Sequence, residues 1–102
     1  MPLTKRQFEL GVDEEGEALM REIYGLLASN SDLAYSFKEL QSAVLGKPTP
    51  VSRIGRFKRA ADALVAIGAA ESRKVAKTDY YAFLQEFDTG TWYSAKHTVS
   101  SS

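Results

Sequence analysis

Residues 64–84 read LVAIGAAESRKVAKTDYYAFL, and the spacing of the apolar residues changes within this stretch. Apolar residues recur at helical spacing as far as Gly68, a residue type that commonly ends helices. Residues 69–75 and 80–84 then have the composition of two β-strands, and residues 76–79 separate them as a turn. The turn contains neither Asn-Gly nor Asp-Gly, so its geometry is open at this point. The stretch therefore predicts the end of a helix followed by a two-stranded hairpin.

Two further helices are predicted ahead of this stretch, each with a recognisable start. Asp13 is suited to cap the first helix, and the glutamates that follow place negative charge at the positive end of the helix dipole. The second helix begins at Ser36-Phe37-Lys38-Glu39, which has the form of a capping box. It ends at Gly46. Apolar residues recur along both helices at helical spacing, so each helix has one face for a core.

A third helix is predicted to end at Gly68, but its start has several solutions. Thr49 can cap it ahead of a proline at the first helical position, or Ser52 can cap it slightly later. In a third solution, residues 47–54 form an extended loop and the helix begins near Gly55. The choice matters because it decides whether the basic residues at the start of this segment lie on a helix.

Positive charge is concentrated in one third of the chain, although the whole chain has 13 basic and 13 acidic residues. Residues 1–45 carry a net charge of −4, and residues 78–102 carry −2. Residues 46–77 hold eight basic and two acidic residues, a net charge of +6. Such a block favours an anionic partner. Its basic residues are Lys47, Arg53, Arg56, Lys58, Arg59, Arg73, Lys74 and Lys77.

Composition argues against several classes of function. The chain has 102 residues, 44% apolar and 25% charged, which is typical of one globular domain. It has no cysteine, and it lacks a phosphate loop, a nucleophile motif and metal-ligand spacing, so we expect no enzyme activity, cofactor, metal or small-molecule substrate. No apolar run approaches the ~20 residues that span a bilayer, and nothing resembles a signal peptide. We therefore expect no membrane contact and a cytoplasmic location, nucleoid-associated in a prokaryote.

Four short motifs and the order of the predicted elements resemble the winged helix-turn-helix superfamily of DNA-binding domains. The resemblance covers about residues 13–87 and implies an α+β, mostly helical fold, with three helices and a C-terminal β-hairpin wing. Residues 1–12 are then an N-terminal arm or a short strand, and residues 88–102 are a partly disordered tail. The motifs are Ser36-Phe37-Lys38-Glu39-Leu40, Val51-Ser52-Arg53, the helix-to-wing junction at residues 64–71, and Tyr80-Tyr81-Ala82-Phe83.

The resemblance implies that the third helix enters the major groove of DNA while the second helix braces the backbone. It implies that Arg53 and Arg56, with Ser52, lie near the bases, because a guanidinium can bond guanine bidentately. Phosphate contacts on and before this helix would come from Lys47, Lys58 and Arg59.

The wing would bind the DNA backbone or the minor groove through Arg73, Lys74 and Lys77. The expected function is therefore sequence-specific or general nucleic-acid binding by a small transcriptional regulator of double-stranded DNA. Homodimer formation is expected, because single domains of this kind gain affinity by reading two half-sites.

Two alternative functions stay open at this point. One is an assembly module that binds proteins, not nucleic acid, through the acidic first helix or through Trp92 and Tyr93. The other is an RNA-binding adaptor. The Trp92-Tyr93 pair is expected to pack on the domain or on a dimer mate. Of Tyr80 and Tyr81, one is expected in the core and one exposed, because neighbouring residues of a strand point to opposite faces.

Overall fold

A computed structural model describes residues 3–46, 51–89 and 92–94 of the chain. It shows an α+β structure that is mostly helical, with a three-stranded antiparallel sheet. The predicted contact residue Lys47, the predicted cap Thr49, the side chain of Ser52 and the C-terminal end of the expected tail lie outside the described residues.

Two helices precede the first strand, two more helices follow it, and the remaining strands come last. The helices are α1 Lys5–Leu10, α2 Glu14–Ser29, α3 Phe37–Leu45 and α4 Val51–Ile67. The strands are β1 Ala34–Ser36, β2 Ala70–Val75, β3 Thr78–Phe83, β4 Phe87–Asp88 and β5 Tyr93–Ser94.

The predicted caps of the first two helices are confirmed in α2 and α3. The Asp13 side chain accepts a hydrogen bond from the Gly16 N–H at 2.8 Å. Ser36 and Glu39 form the reciprocal capping box at the start of α3, with bonds of 3.2 and 2.8 Å. Gly46 follows α3 with φ of 83°, a backbone conformation that glycine adopts without strain. Local sequence chemistry therefore sets both ends of α3.

The N-terminal segment forms a helix over Lys5–Leu10, so the alternative of a short strand in residues 1–12 is wrong. Thr4 and Gln7 form a second capping box at the start of α1, and Gly11 ends the helix with φ of 76°. A threonine followed three residues later by glutamine satisfies the open N–H groups of a helix as serine and glutamate do. That signal was present in the sequence but was obscured by the alternation of Phe8, Leu10 and Val12.

Helix α4 begins by Val51, so the extended-loop alternative for residues 47–54 is wrong. The helix has 17 residues and ends at Gly68, whose φ is 88°. Its buried face carries Phe57, Ala60 and Leu64, which are at most 1% exposed. Helices α2 and α4 form the main helix–helix contact of the core.

The hairpin is confirmed with a shorter turn than predicted. Strand β3 lies between β1 and β2 and pairs antiparallel with both. Val75 pairs with Thr78, so the turn has only two residues, Ala76 and Lys77, with φ of 52° and 68°. Positive φ at both central residues is the geometry of a type I′ turn, which suits the twist of a hairpin. Neither residue is of the type that adopts this conformation easily.

Strand β1 was not predicted. It has three residues, and Tyr35 pairs with Tyr81 of β3. A strand of three residues is too short to show a periodic pattern in the sequence. Its pairing partners lie some 46 positions further along the chain, so no local signal predicts it. Tyr81 is buried and Tyr80 is half-buried on the opposite face of the sheet, which fits the expected division of the two tyrosines between the faces of β3.

Trp92 packs on the domain, which is one of the two placements expected for it. Its side chain is 0% exposed and meets the Tyr24 ring edge-on at 5.9 Å between centroids. The Tyr24 hydroxyl accepts a hydrogen bond from the Phe87 N–H at 2.8 Å, and the Arg6 guanidinium donates to the Trp92 carbonyl. The segment after the hairpin therefore closes the core against α1 and α2.

Replacing Trp92 by alanine should lower the free energy of unfolding by about 3–5 kcal/mol, because it leaves a large cavity in the core. Urea unfolding followed by circular dichroism measures the change. Leu84→Ala is the control, since Leu84 is 46% exposed and its loss should cost less than about 0.5 kcal/mol. Similar values for the two variants would contradict the packing of Trp92.

Ala76→Asn should raise the free energy of unfolding by about 1 kcal/mol, because asparagine tolerates positive φ better than alanine does. The same exchange at Ala43, an exposed helical residue of α3, should lower it, because asparagine is a weaker helix former than alanine. Thermal unfolding of both variants measures the two signs. A destabilised Ala76→Asn variant would contradict the turn geometry.

Candidate nucleic-acid interface

The basic residues of α4 lie on two different sides of the helix. Phe57 and Leu64 face the core. The basic residues that flank this buried face therefore lie on either side of it, some towards α2 and some towards the sheet. Arg53 and Arg56 contact the start of α2, whereas Lys58 contacts β3. The predicted contact residues of this helix are therefore divided between two of its sides.

Arg53 and Arg56 form ion pairs with acidic residues at the start of α2. The distance from Arg56 Nη2 to Asp13 Oδ2 is 3.4 Å, and that from Arg56 Nη1 to Glu15 Oε2 is 3.2 Å. Arg53 Nε lies 3.3 Å from Glu15 Oε1 without the alignment of a hydrogen bond. The side chains are 39–47% exposed, so each pair contributes at most about 1 kcal/mol to stability.

These pairs neutralise the two arginines that the resemblance assigned to base contacts. Asp13 serves both helices, since Oδ1 caps α2 and Oδ2 contacts Arg56. A base edge would have to compete with two carboxylates for the same guanidinium groups. The structure thus directs Arg53 and Arg56 towards the protein itself.

Lys58 lies on the other side of α4, above the aromatic residues between α3 and β3. Its Nζ is 3.1 Å from Asp62 Oδ1, 3.4 Å from the Tyr81 hydroxyl and 5.8 Å from the centre of the Phe37 ring. The hydrogen bond with Asp62 raises the pKa of Lys58 above its usual value, and the Tyr81 hydroxyl adds to this while partial burial opposes it. Lys58 therefore keeps its positive charge at neutral pH.

Lys58 lines a shallow groove together with Lys38 and Lys77, and we call this feature the lysine groove. Its volume is about 380 Å³. The capping box places Lys38 in the first turn of α3, and the two-residue turn of the hairpin brings Lys77 to the same opening. Three elements thus contribute one ammonium group each. The remaining lining residues are Ser36, Phe37, Thr78, Asp79 and Tyr81.

The groove combines cationic groups with an aromatic floor. The Phe37 and Tyr81 rings lie 6.3 Å apart between centroids, and Phe37 also contacts the buried ring of Phe57. Asp79 is the acidic residue among the lining side chains, and Asp62 pairs with Lys58, so the three lysines and these two carboxylates carry a net charge of +1. Ammonium groups of this kind suit phosphate oxygens as point charges, whereas planar recognition of a base edge calls for a guanidinium.

The other predicted contact residues lie outside the groove. Arg73 Nε is 3.2 Å from Glu71 Oε1 on the exposed face of β2. Lys74 lies opposite Asp79 in the β2–β3 register. Arg59 lines a separate cavity of about 220 Å³ beside the turn between α1 and α2, and in the described part of the chain it has no ion pair.

The structure therefore brings together two of the predicted contact residues, Lys58 and Lys77, and adds Lys38. Lys38 lies within the predicted capping box and is not among the contact residues that the resemblance implies. Its position at the start of α3 was the available signal, because the first turn of a helix also directs open N–H groups outward.

Within residues 3–46, 51–89 and 92–94, no group of acidic or histidine side chains could hold a metal ion. Among the described helices, none is long and apolar enough to cross a membrane.

Comparison with known proteins leaves the chain without an assigned family. No protein-family model matches it, and neither a curated protein nor a solved structure matches it significantly.

Proposed function

We propose that this chain is a winged helix-turn-helix protein that binds the phosphate backbone of double-stranded DNA through the lysine groove. The order of the elements supports the fold, because α2, α3 and α4 are followed directly by the β2–β3 hairpin. In this arrangement α3 and α4 are the helix-turn-helix pair and the hairpin is the wing. A small DNA-binding regulator is the function that this arrangement serves best.

The convergence of three lysines from α3, α4 and the hairpin turn is the observation that carries the proposal. Helix and wing contribute charge of the same sign to one opening, which a protein-packing surface does not need. The contact partners are lysines and not arginines, so the groove is suited to hold the sugar-phosphate backbone, which positions a protein on DNA without reading sequence.

Base contacts in this proposal depend on Arg59 more than on Arg53 and Arg56. The last two are held by Asp13 and Glu15, whereas the described residues offer Arg59 no carboxylate within ion-pair distance. With one guanidinium on α4 outside the ion pairs, the protein should bind DNA with weak sequence preference.

An assembly module is the second candidate, and an apolar groove on the outer face of the sheet favours it. Ala34, Val75, Tyr80 and Ala82 line this groove. The two surfaces first expected for assembly are less available, since Trp92 is buried and the acidic start of α2 contacts α4. We rank it second because it gives the lysine groove no role.

Binding to a generic DNA duplex should weaken steeply with salt. If Lys38, Lys58, Lys74 and Lys77 each neutralise one phosphate, the slope of log K against log salt should be about −3.5. The double variant Lys58→Gln/Lys77→Gln should reduce the magnitude of this slope by about 2. Fluorescence anisotropy between about 50 and 200 mM salt measures both slopes.

Lys5→Gln/Arg21→Gln is the matched control, because it removes the same charge from α1 and α2, away from the groove. Its slope should equal that of the wild type. Equal losses in the two variants would indicate a response to net charge alone, and wild-type protein that does not bind at low salt would overturn the proposal. An RNA hairpin titrated in parallel tests the RNA-binding alternative. If the chain is an RNA-binding adaptor, it should bind the RNA hairpin more tightly than the DNA duplex.

A further inference from the structure

Strand β2 forms an open edge of the three-stranded sheet. Strand β3 occupies the centre, so β2 pairs on one side only within the described residues. The strand has six residues, and Ser72–Val75 are all exposed. An unpaired edge of this length presents a row of backbone N–H and C=O groups that can accept another strand.

The two-residue turn determines which backbone groups of β2 point outward. Val75 and Thr78 close this turn as a hydrogen-bonded pair, and hydrogen-bonded and non-bonded pairs alternate along an antiparallel ladder. Arg73 and Glu71 therefore also bond to β3. The residues whose backbone groups face the open side are Ala70, Ser72 and Lys74.

Several antiparallel registers bring the outward-facing backbone groups of two β2 strands together, and they differ in which residue lies on the two-fold axis. One places Ser72 on the two-fold axis, where the two serines form a hydrogen-bonded pair and Ala70 lies opposite Lys74. In this register Glu71 of each copy lies opposite Arg73 of the other copy. These two pairs are not hydrogen-bonded through the backbone, and side chains lie closest together in pairs of that kind. The neighbouring registers place Glu71, Arg73 or Lys74 opposite the same residue of the second copy, and like charges directly opposite are destabilising.

We infer that two copies of this chain associate through the β2 edge, with Ser72 on the two-fold axis and Glu71 opposite Arg73 across it. The charges of the edge are self-complementary with Ser72 on the axis and repulsive in the neighbouring registers. A second copy is therefore the partner that the edge fits, and the pairing joins two three-stranded sheets into one six-stranded sheet.

The outer face of the sheet supports this choice of partner. Its apolar groove has a volume of about 440 Å³, with Glu71 and Arg73 among its lining residues. Val75 at the end of β2 is 55% exposed. Pairing across β2 brings the two grooves together on one face of the joined sheet, so the exposed apolar side chains flank the paired strands on both sides.

The β2 edge is separate from the lysine groove. Tyr80 and Ala82 face the outer groove, whereas Tyr81 belongs to the lysine groove on the helix-facing side of the sheet. The association therefore does not depend on the proposed DNA binding. It can be measured on protein alone.

Sedimentation equilibrium on the wild type and two charge variants, Glu71→Arg and Arg73→Glu, tests the pairing. The wild type should form dimers at protein concentrations up to about 1 mM. Each variant places like charges opposite each other and should dimerise at least about tenfold more weakly. An equimolar mixture of the two variants restores opposite charges in both pairs, so it should dimerise more tightly than either variant alone.

Both variants lose the Glu71–Arg73 ion pair within the chain, so loss of that pair cannot explain recovery in the mixture. Circular dichroism of each variant confirms that it is folded. A wild type that is monomeric over the whole concentration range would overturn the inference. So would a mixture that dimerises no better than its components.

A disulfide test fixes the register independently of charge. Opposed residues of a hydrogen-bonded antiparallel pair have Cα atoms about 5.5 Å apart, which a disulfide can bridge. The chain has no cysteine, so oxidised Ser72→Cys should give a covalent dimer, whereas Lys74→Cys, on the same exposed strand, should react much more slowly. Equal rates for the two variants would exclude Ser72 from the axis.

Discussion

The rotation of α4 about its own axis is the constraint on which the rest of the structure depends. Phe57 and Leu64 are fully buried, and burial of side chains this large outweighs any single surface ion pair. Once they face inward, Arg53 and Arg56 reach the start of α2, and Lys58 lies over Phe37 and Tyr81. Core packing, and not charge, has sorted the basic residues.

This sorting changes the meaning of the charge map. The net charge of +6 in residues 46–77 suggests one continuous basic surface. In the folded chain the acidic residues of α2 neutralise part of it, since Asp13 and Glu15 contact two of the arginines. Among the described basic residues of this block, Arg59, Lys74 and Lys77 form no ion pair. Charge counted along a sequence therefore overestimates the field at a surface when an oppositely charged segment folds beside it.

Features set by local chemistry could be predicted from the sequence, whereas features set by distant contacts could not. The caps at Asp13 and Ser36 and the stop at Gly68 are local, and the structure has all three. Strand β1 exists because Tyr35 meets Tyr81, far along the chain. The ion pairs of Arg53 and Arg56 depend in the same way on how two helices pack, so the face of each arginine was not predictable.

The small residues at the junction of α4 and β2 show a further limit of local patterns. The short side chains of Ala69 and Ala70 suggest light packing or contact with another chain, yet Ala69 is fully buried inside the domain. Alanine there lets the chain turn directly from the helix into the sheet after Gly68. The small size of Ala69 indicates how little room its side chain has. The packing of α4 against its neighbours determines that room, and the local sequence does not show this packing.

The two-residue turn at Ala76 and Lys77 connects the sheet to both proposed surfaces. It sets the β2–β3 register from Val75 and Thr78 onward, and that register decides which backbone groups of β2 face outward. It also brings Lys77 to the lysine groove. Both residues have positive φ without being glycine or asparagine, which costs backbone energy. Glycine at position 77 would form the same turn with less strain but would carry no charge. The lysine is therefore better explained by a contact that its ammonium group makes at the surface than by stability alone.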